Sequence, residues 1–124
     1  MTIRRISSGG LFEAKVGYCR AVVAGDLVHV AGTTAQGADI PTDVVAQCQS
    51  ALETIGAALA EAGASFADVV RVHYILPEPA DFEPCWPVLA ATFGANPPAA
   101  TMFSANLIDP RYKIEIEVTA YIGA

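Results

Sequence analysis

The chain has 124 residues, 53% of them hydrophobic and 16% charged, enough apolar content for one compact core and too short a length for two, so residues 1–124 are read as a single domain. Seven Lys+Arg against thirteen Asp+Glu leave a formal net charge of −6, which repels a polyphosphate backbone and supplies no basic stripe for nucleic acid. No apolar run approaches the ~20 residues of a bilayer span, and Met1-Thr2-Ile3-Arg4-Arg5 lacks the apolar core of a signal peptide, so the expectation is a soluble, cytoplasmic protein with no membrane partner.

Residues 17–23 and 27–32 read as two strands joined by a tight turn, because β-branched residues flank the Gly25-Asp26 pair. An extra strand fits at residues 3–6. From Pro41 onward the period changes: Val45, Cys48, Leu52, Ile55 and Leu59 recur three and four apart and place one apolar stripe on a helix. Thr42 or Asp43 can cap its start and Gly63 can end it. The β-rich run from Asp68 to Leu76, closed by Pro77, reads as a central strand reached by a right-handed crossover. A second, shorter helix is expected over residues 81–93, with Asp81 as its cap and a distortion at Pro87. Residues 100–107 read as a strand. The last strand, residues 112–121, alternates strictly, with Ile114, Ile116, Val118 and Ala120 on one face and Glu115, Glu117, Thr119 and Tyr121 on the other. The order β-β-α-β-α-β-β predicts an α+β fold, a single sheet with both helices packed on one face. No helix remains for the other face, which must meet water or a second subunit, so an oligomer is expected.

Cys19, Cys48 and Cys85 form no CxxC pair and show no metal-ligand spacing, and read as small buried hydrophobes. His29 and His73 stand far apart, each in an apolar, β-rich stretch that should bury or half-bury it, so no metal site is expected. Neither Gly9-Gly10 nor Gly32 sits in a strand-GxGxxG-helix context, and no Ser-His-Asp pattern is present.

Taken together, Gly17-Tyr18 with Val30-Ala31-Gly32, the join from Leu59 through Gly63 to Asp68-Val69-Val70-Arg71-Val72, Asp81-Phe82, Pro98-Ala99 and Ile114-Glu115-Ile116-Glu117-Val118 resemble the Rid (YjgF-type, endoribonuclease L-PSP) family. The likeness runs from about residue 10 to residue 121. It implies a chorismate-mutase-like fold, a homotrimer and ligand clefts between subunits. In the enamine/imine deaminase branch, an arginine directly after the Pro-Ala turn grips the substrate carboxylate, and a glutamate on the last strand directs water at the imine carbon. The matching glutamate is Glu115, and the matching cleft tyrosine is Tyr18. No cofactor is implied, since an imine is already electrophilic.

This chain departs from that pattern where the arginine should stand: Ala100 follows Pro98-Ala99, with Met102 where a cysteine is frequent. Losing a buried bidentate ion pair should cost on the order of several kcal/mol of substrate binding, so the resemblance points to an arginine-lacking branch. Arg20 lies two residues beyond Tyr18, and strand alternation would put both on one face. Either Arg20 is a relocated anion anchor or it pairs with Glu115 or Glu117. Arg111 is a solvated turn charge or a cleft-rim group; Trp86 and Met102 are packing residues or walls of the ligand pocket, to which Ala31 and Ala100 also belong. Three functions follow. One is hydrolytic deamination of a small imine or enamine with Glu115 guiding water, and another is a non-catalytic small-molecule binding protein of the same fold. The third, a ribonuclease or translation inhibitor, is opposed by the acidic charge.

Overall fold

The computed structural model describes residues 2–123. In chain order its elements are β1 (Ile3–Ile6), α1 (Glu13–Val16), β2 (Ala21–Ala24), β3 (Leu27–Thr33), α2 (Val44–Glu61), β4 (Val69–Leu76), α3 (Trp86–Phe93), β5 (Ala99–Ser104) and β6 (Glu115–Tyr121). Among the described residues they build one six-stranded mixed sheet in the order β1-β2-β3-β6-β4-β5. Only β4 and β5 run parallel, joined through α3; every other neighbouring pair is antiparallel. The α+β fold expected from the sequence, with α2 and α3 on one face of a single sheet, is the observed one.

The alternation of the last strand decides which face is covered. Ile114, Ile116, Val118 and Ala120 are buried, while Glu115, Glu117 and Thr119 are half-exposed and Tyr121 is exposed. Buried Val28, Val30, Val72, Tyr74 and Leu76 join the same core from β3 and β4. Against it lies α2, whose N-cap Asp43 accepts a hydrogen bond from the Ala46 amide at 3.0 Å. Its buried stripe is Val44, Cys48, Leu52, Ile55 and Leu59, with Val45 only partly covered. The helix stops where Gly63 turns left-handed at φ 82°. No helix of the described residues is long and apolar enough to cross a membrane.

Four expectations are corrected here. Pro87 distorts nothing, because α3 begins at Trp86 and the proline falls in the first helical turn, where its missing N–H is not needed. Asp81 does not cap that helix; it closes a separate 3₁₀ turn, Pro79–Asp81. His73 is half-buried as expected, but His29 is exposed, since it points away from the helices while Val28 and Val30 point towards them. The four-residue helix α1 had no apolar periodicity to announce it, and the strands β5 and β6 are each shorter than read, leaving residues 105–114 as a loop.

One polar side chain in the core fixes that loop. Gln47 on α2 is fully buried. Its amide nitrogen donates to the carbonyls of Pro41 (2.7 Å) and Arg111 (2.9 Å), and its oxygen accepts from the Lys113 amide at 2.8 Å. Replacing it with leucine would leave two carbonyls and one amide unpaired beside the core. Gln47→Leu is therefore expected to lower unfolding stability by about 3 kcal/mol in urea denaturation, with the m-value unchanged.

Candidate functional site

The segment leading into β2 is held by an acid. Glu13, only 5% exposed, accepts hydrogen bonds from the Ser8 amide (3.2 Å), the Ser8 hydroxyl (2.6 Å) and the Gly10 amide (2.9 Å). Burial alone would raise its pKa, but these donors together hold it below the ordinary glutamate value. Its main-chain carbonyl accepts from both Gly17 and Tyr18 amides, with Gly17 left-handed at φ 94°. The loop thus delivers Tyr18, 40% exposed, in a fixed place.

Arg20 is its neighbour, as alternation suggested, but by another route. Residue 20 lies just before β2, its carbonyl accepting from the Ala31 amide of β3 at 2.8 Å. On its other edge β3 shifts register against β6 between Val30 and Thr33. The guanidinium is 4% exposed, donates from Nη1 to the Gly32 carbonyl and Thr33 Oγ1, both at 3.0 Å, and from Nε to Ser8 Oγ at 3.4 Å. Its Cζ stands 5.6 Å from the Tyr18 ring centroid. Thr33 Oγ1 in turn donates to the Ala31 carbonyl at 2.7 Å.

Glu115 completes this group. Its carboxylate lies against Gly32, close enough that a Cβ there would stand 2.6 Å from Oε2. Burial is the main cause that raises its pKa, the charge of Glu117 adds to the rise, and Arg20 partly offsets both. A half-buried carboxyl with a raised pKa near a fixed cation can exchange a proton with water. Ser8, Glu13, Gly32 and Thr33 escaped the sequence reading. Gly32 was quoted only as part of a motif, and nothing in the spacing of the other three brings them to Arg20.

The other candidates lie elsewhere. Ala100 and Met102 are on the edge strand β5. Met102 lines a groove of about 250 Å³ with Phe82 and Phe103, and Trp86 lines an adjoining one of about 310 Å³ with Phe82 and Tyr74. Trp86 meets Phe82 edge-on, ring centroids 6.4 Å apart. Register settles how the two groups relate. Ala100 pairs with the buried Val72, on the helix side of the sheet, whereas Glu115 pairs with Ile75 on the other side. Arg111 joins neither group: exposed on its turn, it holds Asp109 through Nε to Oδ1 (3.1 Å) and Nη2 to Oδ2 (2.9 Å). Among the described residues no cluster of His, Cys, Asp and Glu could hold a metal ion.

A family model described as endoribonuclease L-PSP matches residues 11–122. The chain belongs to this family. An uncharacterized protein of Streptomyces coelicolor is 35% identical over 126 residues, covering 98% of this chain and 94% of that one. A crystal structure of a YjgF/YER057c/UK114 family member from Mycobacterium tuberculosis superposes with a TM-score of 0.90 at 41% identity, covering 98% of this chain and all of that one. The 2-iminobutanoate/2-iminopropanoate deaminase of Capra hircus is 29% identical over 98% of this chain and 92% of its own length. Within this L-PSP family member, the contact of Glu115 on Gly32 makes a prediction. Gly32→Ala should push the carboxylate towards water and return its titration towards the ordinary 4.5, as read by carboxyl-carbon NMR across pH.

Proposed function

We propose that this endoribonuclease L-PSP family protein hydrolyses a small imine or enamine to a carbonyl compound and ammonia, in clefts shared between the subunits of a homotrimer. Glu115, ionised, accepts a proton from a water molecule. As the water oxygen bonds to the imine carbon the C=N π pair moves to nitrogen, which takes back the proton held by Glu115 to give the carbinolamine. Its hydroxyl proton then passes to nitrogen as the C=O double bond forms, the C–N bond breaks and ammonia leaves. Tyr18 walls the cleft. Arg20, buried and held through Nε and Nη1 by Ser8, Gly32 and Thr33, acts as a fixed positive charge beside Glu115 and does not reach out as a clamp. Three free cysteines suit a reducing, cytoplasmic compartment.

The observation that carries this reading is the register. Ala100 and Glu115 lie on opposite faces of one sheet, so a cleft lined by both needs two copies of the chain. The name of the Capra hircus relative supports the choice of reaction. Ribonuclease chemistry fits poorly with a net charge of −6. A second reading, binding without turnover, is favoured by Ala100, which offers a carboxylate nothing to hold.

Ammonia release from imines generated in place by an amino-acid oxidase tests the choice, alongside sedimentation at three times the chain mass. Glu115→Gln should lower kcat at least about a hundredfold, the usual scale of a lost acid–base group. It should leave the protein folded and slightly more stable at neutral pH, because a carboxylate whose folded pKa is raised costs stability once pH rises through it. Turnover equal to wild type in that variant, or a monomer with full activity, would overturn the proposal, and ligand-induced stabilisation without ammonia would select the binding reading. Ala100→Arg should raise kcat/KM for 2-imino acids at least about tenfold by restoring a bidentate clamp, measured in the same assay.

A further inference from the structure

The sheet face turned away from α2 and α3 carries an ordered set of polar side chains that the deaminase reading does not use. Strand pairing aligns His29, Thr119 and Arg71 in one row, and Glu117, His73 and Thr101 in the next. Arg71 donates from Nε to His73 Nε2 at 3.3 Å and from Nη2 to Thr101 Oγ1 at 2.9 Å. His73 Nδ1 meets Glu117 Oε1 at 2.5 Å. An arginine can only donate, so His73 Nε2 accepts, and the ring proton sits on Nδ1 facing the carboxylate. One imidazole thereby holds a cation and an anion at a set separation, each locked on one side only. Arg71 Nη1 and Glu117 Oε2 have no hydrogen-bond partner among the described residues.

Arg71, His73 and Glu117 border a cavity of about 330 Å³, which Cys19 and Ala31 also line; that is close to the lower end of cavities that hold small metabolites, roughly 300 Å³. Neither Tyr18, Arg20 nor Glu115 lines it. A plain anion entering it meets the Glu117 carboxylate, and a plain cation meets the Arg71 guanidinium. A molecule bearing both charges satisfies both. An assembly that turns this face inward makes the demand stricter, because charges removed from water need partners.

We infer that this cavity is a binding site for a small zwitterion of the α-amino-acid class, its carboxylate on Arg71 Nη1 and its ammonium on Glu117 Oε2, with His73 as the spacer that positions both. The site stands whether or not the protein is a deaminase, and no bond is made or broken in it.

The test uses the full chain with selectively labelled histidine, titrated with alanine, and with propionate and ethylamine as probes carrying one charge each. Alanine should shift the His73 ring resonances saturably, and each single-charge probe should bind at least about tenfold more weakly. Arg71→Gln and Glu117→Gln should each weaken alanine by a similar factor in calorimetry, and Arg71→Lys, which keeps the charge without the planar fork, should fall between. Because the ring signals are read in the wild-type protein, a variant that fails to fold does not decide the matter. Unmoved His73 resonances at saturating alanine, or undiminished affinity in a folded Arg71→Gln, would overturn the site. Propionate binding as tightly as alanine would overturn the zwitterion assignment.

Discussion

A single buried amide, that of Gln47, ties helix α2 to the chain just before the strand that carries Glu115. Three main-chain groups, on Pro41, Arg111 and Lys113, depend on it. The constraint matters because β6 is central, paired with β3 on one side and β4 on the other. A side-chain period of two means that a slip of one residue would exchange the whole apolar set for the glutamates. Ile114 would then face water and Glu115 the core. Pinning the amide of Lys113 leaves the following residues one way to enter the sheet, and the acid at 115 is thereby assigned to the face opposite the helices before any of its own contacts form.

The parts of the molecule ruled by a repeating pattern were legible in the sequence. The alternation of β6 and the three-and-four spacing on α2 are both local and strong, and they named core side chains correctly apart from Val45, which is only partly covered while Val44 is buried. Pro87 misled, because a proline weakens a helix only in its interior, and whether residue 87 is interior depends on two 3₁₀ turns, Pro79–Asp81 and Glu83–Cys85, that no periodicity reveals. Arg20 was placed beside Tyr18 on the assumption that a strand runs through both. The strand starts one residue later, so the guanidinium turned inward to hydroxyls and a carbonyl. Its partners Ser8 and Thr33 lie 12 and 13 residues away, a distance at which spacing carries no message. Of the group Arg71, His73, Glu117 and Thr101, only Glu117 was placed in advance, by the alternation of β6. Joining the strands, however, requires the order β6-β4-β5, which has no local signature.

The charge arrangement separates support from chemistry. Glu13 is an acid kept ionised by donors that converge on it, and it serves the loop. Glu115, on the opposite trend, is an acid that burial makes easier to protonate. The same residue type is thus held ionised in one place and biased towards its protonated form in another, and the difference comes from how many N–H and O–H groups point at each carboxylate. Ala100 sharpens the contrast, since it leaves the far side of the sheet apolar, beside Met102 and Trp86, where a clamp of fixed charge would otherwise narrow the choice of ligand.

Trp86 is the chain's one tryptophan, 52% exposed at the first turn of α3 and set edge-on to Phe82. Its indole is consequently a natural optical reporter for one corner of the molecule. Any neighbour that dries this corner blue-shifts the emission, and no second indole blurs the signal.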